Sequence, residues 1–125
     1  MTDAASSDLP GRVASEPLPI DRLELLESLA WDSIVLLDAQ APGWFERERI
    51  PGAVRALPED LDSLEGFLPH GRDTKVAVYC WDVSCSGSAV IAQMLVERGY
   101  RRVRRYRGGK RDWIDAGLPV ERGSP

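Results

Sequence analysis

The segment Lys75-Val76-Ala77-Val78-Tyr79-Cys80 constrains this chain more than any other, because five apolar residues in succession end on a cysteine. A run so short and without polar alternation reads as a strand covered on both faces, the kind found in parallel sheets whose crossovers are helices. The flanking sequence repeats that grammar. Asp21 is an N-cap candidate with Glu24 three positions on, and Ile20 and Leu25 stand in staple positions around an expected inward face of Leu23, Leu26 and Leu29. Ile34 to Leu37 is a second continuous apolar run, ending at Asp38. Ala41-Pro42-Gly43 opens a loop, Trp44 to Arg47 suits one helical turn, and Ile50-Pro51-Gly52-Ala53-Val54 leads into another short strand. Pro58 is acceptable in the first turn of a helix carrying Leu61, Leu64 and Leu68.

Beyond Cys80 the segment from Trp81 to Gly87 is short and polar. A helix is then expected from about Ser88 to Arg98, with Ile91, Met94 and Leu95 inward and Gly99 as its stop. Arg101 to Arg107 reads as a strand, Gly108-Gly109 as a turn, and Arg111 to Ala116 as a short helix closed by Gly117. Strands alternating with helices predict an α/β domain on a mainly parallel sheet. Its expected span is 20–122, between a flexible N-terminal leader at 1–19, which lacks any apolar period, and a tail at 123–125.

Composition narrows the function classes. The 43% hydrophobic and 29% charged fractions are those of a globular domain, and the net charge of −4 has the wrong sign for general nucleic-acid affinity. Met1 to Asp8 lack a basic region followed by an apolar run, and no stretch approaches the roughly 18 apolar residues that span a bilayer, so neither membrane nor export is expected and the cytoplasm is the default compartment. Two cysteines there are expected to be reduced, reactive or buried thiols rather than a staple. With one histidine, His70, and two cysteines, neither a Cys-His pair nor a metal site has its parts, and no cofactor is implied.

Ligands of parallel α/β sheets bind beyond the carboxyl ends of the strands, where loops meet helix N-termini, and Cys80 sits at such a place. Loop N–H groups and the positive end of a following helix favour thiolate over thiol there, and the same groups suit an oxyanion or a terminal sulfur. A buried cysteine packed as a small hydrophobe fits the position equally well, and the residues alone leave both readings open. Cys85 reads as an inert loop residue, with a resolving thiol and a second sulfur acceptor as the alternatives. A bridge to Cys80 requires their Cα atoms to come within about 7 Å.

From Ile20 to Glu121 the chain resembles the rhodanese family. Val35-Leu36-Leu37-Asp38 followed by Ile50-Pro51-Gly52-Ala53-Val54 is similar to the family's first strand and its Ile-Pro-Gly-Ala signature, and Val78-Tyr79-Cys80 to its catalytic strand. Gly99-Tyr100, Val103, Gly108-Gly109, Trp113 and Ala116-Gly117-Leu118-Pro119-Val120 match its tail in order. The resemblance implies a three-layer fold with a central sheet of about five strands. It also implies a sulfurtransferase in which Cys80 takes sulfane sulfur from a donor as a persulfide and hands it to a thiol or cyanide-like acceptor. The loop Trp81, Asp82, Val83, Ser84, Cys85, Ser86, Gly87 and Ser88 would then cradle the outer sulfur through backbone N–H groups, with the serines as hydroxyl donors.

Departures from the family are equally specific. Typical thiosulfate-using members resemble Cys-Arg-x-Gly-x-Arg here, whereas this loop holds no cation, and an inward Asp82 would oppose both thiolate formation and a dianionic donor. The usual Asp-Val-Arg is Asp38-Ala39-Gln40, and the usual His before Ile-Pro-Gly-Ala is Arg49. The loop length is more like that of rhodanese-related phosphatases, but their Cys-x5-Arg guanidinium position is Ser86, which argues against phosphoryl chemistry. Half of all Lys and Arg lie between Arg98 and Arg111. That run reads as a solvated surface, with recruitment of an acidic protein or anionic donor as the alternative, and Lys110 and Arg111 are the expected anion contacts nearest the pocket. Trp44 and Trp113 read as packing aromatics and Trp81 as a pocket rim. Besides the sulfur carrier, two readings stand: a noncatalytic protein-binding module, and a thiol redox protein using Cys80 and Cys85.

Overall fold

The computed structural model describes residues 17–123. The expected leader up to residue 16, and the last two residues, lie outside them. Five strands, β1 (Leu18–Pro19), β2 (Val35–Asp38), β3 (Val54–Arg55), β4 (Val76–Tyr79) and β5 (Val103–Tyr106), form one sheet in the order β1-β5-β4-β2-β3. Every pairing in it is parallel. The connections carry α1 (Arg22–Ala30), α2 (Trp44–Arg47), α3 (Leu61–Phe67), α4 (Gly87–Glu97) and α5 (Gly109–Asp115). This is the α/β architecture expected from the alternation of apolar runs.

β4 lies at the centre with all four residues buried, and its alternation divides the core in two. Val76 and Val78 join Leu37, Leu61, Leu64, Ile91 and Leu95 on the α3–α4 side. Ala77 and Tyr79 join Leu25, Leu36, Phe45 and Trp113 on the side of α1, α2 and α5. Helices on both faces hide the sheet from water, which is why β2 and β4 read as unbroken apolar runs rather than alternating ones.

Three local expectations are corrected. Order begins before Ile20, because Leu18 and Pro19 pair with Arg104 and Arg105 as an edge strand. A two-residue strand containing proline has no apolar signature and exists only because β5 offers it a backbone. In α1, Asp21 does cap the helix by accepting from the Glu24 N–H at 2.8 Å, but the inward residues are Leu25 and Ser28, flanked by the partly buried Leu26 and Leu29. Leu23 is 73% exposed, since the helix approaches the sheet along a stripe that does not include it. The expected helix at Arg111 starts two residues earlier, at Gly109.

Two predictions follow from this packing. Leu37→Ala, at a fully buried core position, should cost about 2–5 kcal/mol, read as a lower urea midpoint at unchanged slope. Asp112 accepts from the Tyr106 hydroxyl and takes both carboxylate oxygens to Arg22 Nη1, at 3.0 and 2.9 Å. The Tyr106 bond first, and the Arg22 cation with it, outweigh burial and hold the carboxyl below its usual range. A carboxyl lowered by folding contributes stability above its unfolded value of about 3.9, and that contribution fades as pH falls through the folded value. The melting-temperature gap between wild type and Asp112→Asn should therefore be widest near neutrality and close below about pH 4.

Candidate active site

β4 ends at Tyr79, and the next residue, Cys80, is 3% exposed at the floor of a cleft of about 440 Å³ lined by Gln40, Ala41, Trp44, Cys80, Trp81 and Cys85. The cleft lies where the carboxyl ends of β2 and β4 meet the loop into α4, the position that parallel sheets reserve for ligands. Cys80 Sγ stands 3.7 Å from the Ala39 carbonyl oxygen. A methyl group on Gly87, the first residue of α4, would sit 2.8 Å from that oxygen and 3.3 Å from the sulfur. Only glycine lets the helix start this close, so the sulfur lies against the first residue of α4, at the end of the helix whose N–H groups lack partners inside it.

The loop between them is folded by Asp82. Its Oδ1 accepts from the Ser84 N–H at 3.0 Å and from the Ser84 hydroxyl at 2.6 Å, and its carbonyl accepts from the Cys85 N–H at 3.1 Å. This Asx turn doubles the chain back and brings Cys85 to Cys80: their Cα atoms are 6.2 Å apart and the two sulfurs are bonded as a disulfide. The expectation of two reduced thiols, with Cys85 inert, is thus corrected. The turn that joins them is built by a side chain whose effect spacing does not reveal. Asp82 is absent from the cleft lining, and its Oδ2 lies 3.6 Å from Arg111. The Ser84 bond foremost, with the amide and Arg111, outweighs burial and keeps its carboxyl low.

The cations are placed differently from expectation. Lys110 is 1% exposed, with Nζ donating to the Glu48 carbonyl at 3.1 Å beneath Trp44 and Trp81, 5.7 and 5.2 Å from their ring centroids. It supports the cleft's aromatic walls and does not line the cleft. Arg111 is taken by Asp82 and Asp115. A further cation, not expected at the site, braces the far end of the loop: Arg105, whose Nε donates to Ser88 Oγ at 2.9 Å and whose Nη2 lies 3.5 Å from the Cys85 carbonyl. Burial lowers its pKa, with Arg107 adding to the effect. Period two in β5 puts Arg105 on the same face as Val103, toward α4, so the alternation carried this signal. Much of the remaining cationic run is spent in surface ion pairs: Arg98 with Asp62 and Glu65, Arg101 with Asp73, and Arg104 with Glu24.

Trp44, expected as a packing aromatic, is 48% exposed and lines the cleft with Trp81, while Trp113 is buried. Gln40, which stands where the family has an arginine, and Ala41 also line the cleft past the end of β2, as the rule that points to Cys80 implies for them as well. Behind the cleft, Asp38 is fully buried and accepts from the Tyr79 hydroxyl, from the Gln40 amide at 2.9 Å and from Gln40 Nε2 at 2.8 Å. Burial dominates and raises the Asp38 carboxyl, and burial likewise raises Tyr79. This network fixes the Gln40 side chain in the cleft wall. Among the described residues no group of His, Cys, Asp and Glu is arranged to hold a metal ion, and no helix is long and apolar enough to cross a membrane.

The ends of β4 and β5 are locked together by α5. The Lys110 and Arg111 N–H groups donate to the carbonyls of Cys80 and Trp81, both at 2.9 Å. Gly109 makes this possible. Its φ is +68°, and a methyl group there would lie 2.6 Å from the Cys80 oxygen and 2.7 Å from that of Trp81.

With this geometry, the match of residues 21–116 to the family described as Rhodanese-like domain is decisive. The chain belongs to the rhodanese-like domain family. Among curated relatives it is 47% identical over 99 residues to the thiosulfate sulfurtransferase YnjE of Escherichia coli, covering 68% of this chain and 22% of that protein. It is 33% identical over 103 residues to a sulfurtransferase of Allochromatium vinosum, covering 81% and 92% respectively. The chain thus spans about a fifth of the first relative and nearly all of the second. In fold, this rhodanese-like domain superposes on one from Anabaena with a TM-score of 0.69 at 22% identity, over 83% of this chain and 78% of that one.

Gly109→Ala should cost about 1–3 kcal/mol from the left-handed backbone alone, and more from the collision with two carbonyls. It should also loosen the site, so that after reduction Cys80 is alkylated faster than in wild type, as measured by mass spectrometry against a Gly117→Ala control. Gly117 shares the positive φ without the clash.

Proposed function

We propose that this rhodanese-like domain is a sulfurtransferase that carries sulfane sulfur as a persulfide on Cys80. One observation carries the reading: the Cys80 sulfur lies at the floor of an open cleft, against the first turn of α4. Helix N–H groups and the positive helix end stabilise a thiolate, and they stabilise the outer sulfur of a persulfide in the same way. In the loading step the Cys80 thiolate attacks the outer sulfur of the donor. The donor's inner sulfur leaves as a thiolate with the bonding pair, and the Cys80 persulfide remains. A thiol or cyanide-like acceptor then takes the outer sulfur and returns Cys80 to its thiolate. The Cys80–Cys85 disulfide masks the nucleophile, so loading begins from the reduced pair.

The cleft walls favour one donor class. Trp44 and Trp81 make them aromatic, and the nearest ammonium, on Lys110, is bound below them to Glu48. A dianion such as thiosulfate carries its charge on the reacting group and would shed its hydration with no lining cation to receive it, whereas a peptidyl persulfide such as glutathione persulfide can keep its carboxylates and ammonium in water at the cleft mouth and insert only its persulfide end. Reduced wild type should therefore become heavier by one sulfur atom on incubation with glutathione persulfide, and Cys80→Ser should not. Thiosulfate should load the domain at least about tenfold more slowly, corresponding to about 1.4 kcal/mol of uncompensated desolvation. Intact-mass spectrometry reads both. A reduced, folded wild type that takes no sulfur from either donor would sink the carrier reading and favour a binding module.

A further inference from the structure

Cys85 belongs to the same cleft as Cys80 and is already within bonding reach of it, a relation that persulfide transfer to an outside acceptor does not use. We propose that Cys85 is a resolving thiol: it discharges the Cys80 persulfide as hydrosulfide and leaves the disulfide seen in the structure, which a dithiol reductant then reopens. The proposal rests on the reading of Cys80 as a sulfur carrier and adds to it a product and a partner class.

The step balances within the protein. The Cys85 thiolate attacks the inner sulfur, Cys80 Sγ. The Sγ–Sγ bond forms, the bond from Cys80 Sγ to the outer sulfur breaks, and the bonding pair departs with the outer sulfur as hydrosulfide, which keeps the persulfide's proton or takes one from water. The sulfane sulfur gains two electrons and the two cysteines lose two. No outside oxidant is needed. The reductant returns them by two thiol–disulfide exchanges, becoming a disulfide itself.

Three features favour this route. The turn built by Asp82 holds Cys85 beside Cys80, which replaces an encounter with a dilute acceptor by an intramolecular one. Arg105, braced on Ser88 and close to the Cys85 carbonyl, ties the far side of that turn to β5. The two sulfurs are also unequally accessible, Cys80 being buried and Cys85 partly exposed. A reductant arriving through the cleft therefore meets Cys85 first and expels Cys80, whose thiolate is the one stabilised by the start of α4. A better-stabilised thiolate leaves faster.

The test is a single turnover with fully reduced full-length protein and one equivalent of glutathione persulfide, the excess removed, followed by intact mass and a hydrosulfide assay. Wild type should gain a sulfur atom and then lose it without added thiol, ending two hydrogens lighter than the reduced chain with one hydrosulfide released per chain. Cys85→Ser and Cys85→Ala should both keep the persulfide on Cys80, with its lifetime extended by on the order of tenfold or more. Equal lifetimes in wild type and both variants, with no disulfide formed, would overturn the resolving role and leave the carrier reading intact. Failure of the two Cys85 variants and of wild type to acquire sulfur at all, in protein with an unchanged thermal melt, would overturn both.

Discussion

A central strand buried on both faces must find partners for its backbone beyond the point where the sheet ends, and in this domain that requirement organises everything near Cys80. The carbonyls of Cys80 and Trp81 lie past the last residue of β4, and the Lys110 and Arg111 amides in the first turn of α5 donate to them. An unpaired buried carbonyl costs on the order of 1–3 kcal/mol, so the two bonds hold the strand end and the helix start as one unit. The left-handed Gly109 is the geometric condition for that contact. Because α5 also anchors Lys110, the same clamp sets the ammonium beneath the two tryptophans.

The second constraint is the close start of α4. Gly87 lets backbone approach the Cys80 sulfur and the Ala39 carbonyl at distances that no other residue permits. Between these two clamps the loop has little freedom, and Asp82 uses it to turn Cys85 inward. A side chain that looks hostile to an anionic site is here a structural one: its carboxylate is consumed by the turn and by Arg111. The charge at the far end of the loop comes from β5, through Arg105.

The resulting site is aromatic and apolar above and ionic below. Lys110, the Glu48 carbonyl, Gln40 and Asp38 form a continuous polar layer under the cleft, so the walls are rigid without presenting charge to a ligand. Burial drives the Asp38 carboxyl upward while the Tyr79 hydroxyl and Gln40 supply its donors. Such a satisfied buried network specifies one arrangement of the loop after β2, and with it the position of Trp44.

Continuous apolar runs at 34–37 and 76–80, alternating along the chain with helical segments, were enough to determine a parallel sheet covered on both sides and to put Cys80 at the carboxyl end of its central strand. These features are local, so sequence carries them. The edge strand β1, the helix face that excludes Leu23, and the exposure of Trp44 depend on which surface a neighbour offers, and no spacing encodes that. The charges behave alike. A run of arginines is visible in sequence, but whether each meets a carboxylate, a carbonyl or solvent follows from how β5 and the helices around it stack. Sequence by itself determined the fold and the position of Cys80 at the carboxyl end of its central strand. Only tertiary structure decided that Cys85 meets Cys80, that Asp82 turns away, and that Arg105 braces the Cys85 end of the loop while Lys110 lies beneath its tryptophan, because each is a contact between chain segments whose distance in space is set by packing and not by their distance along the chain.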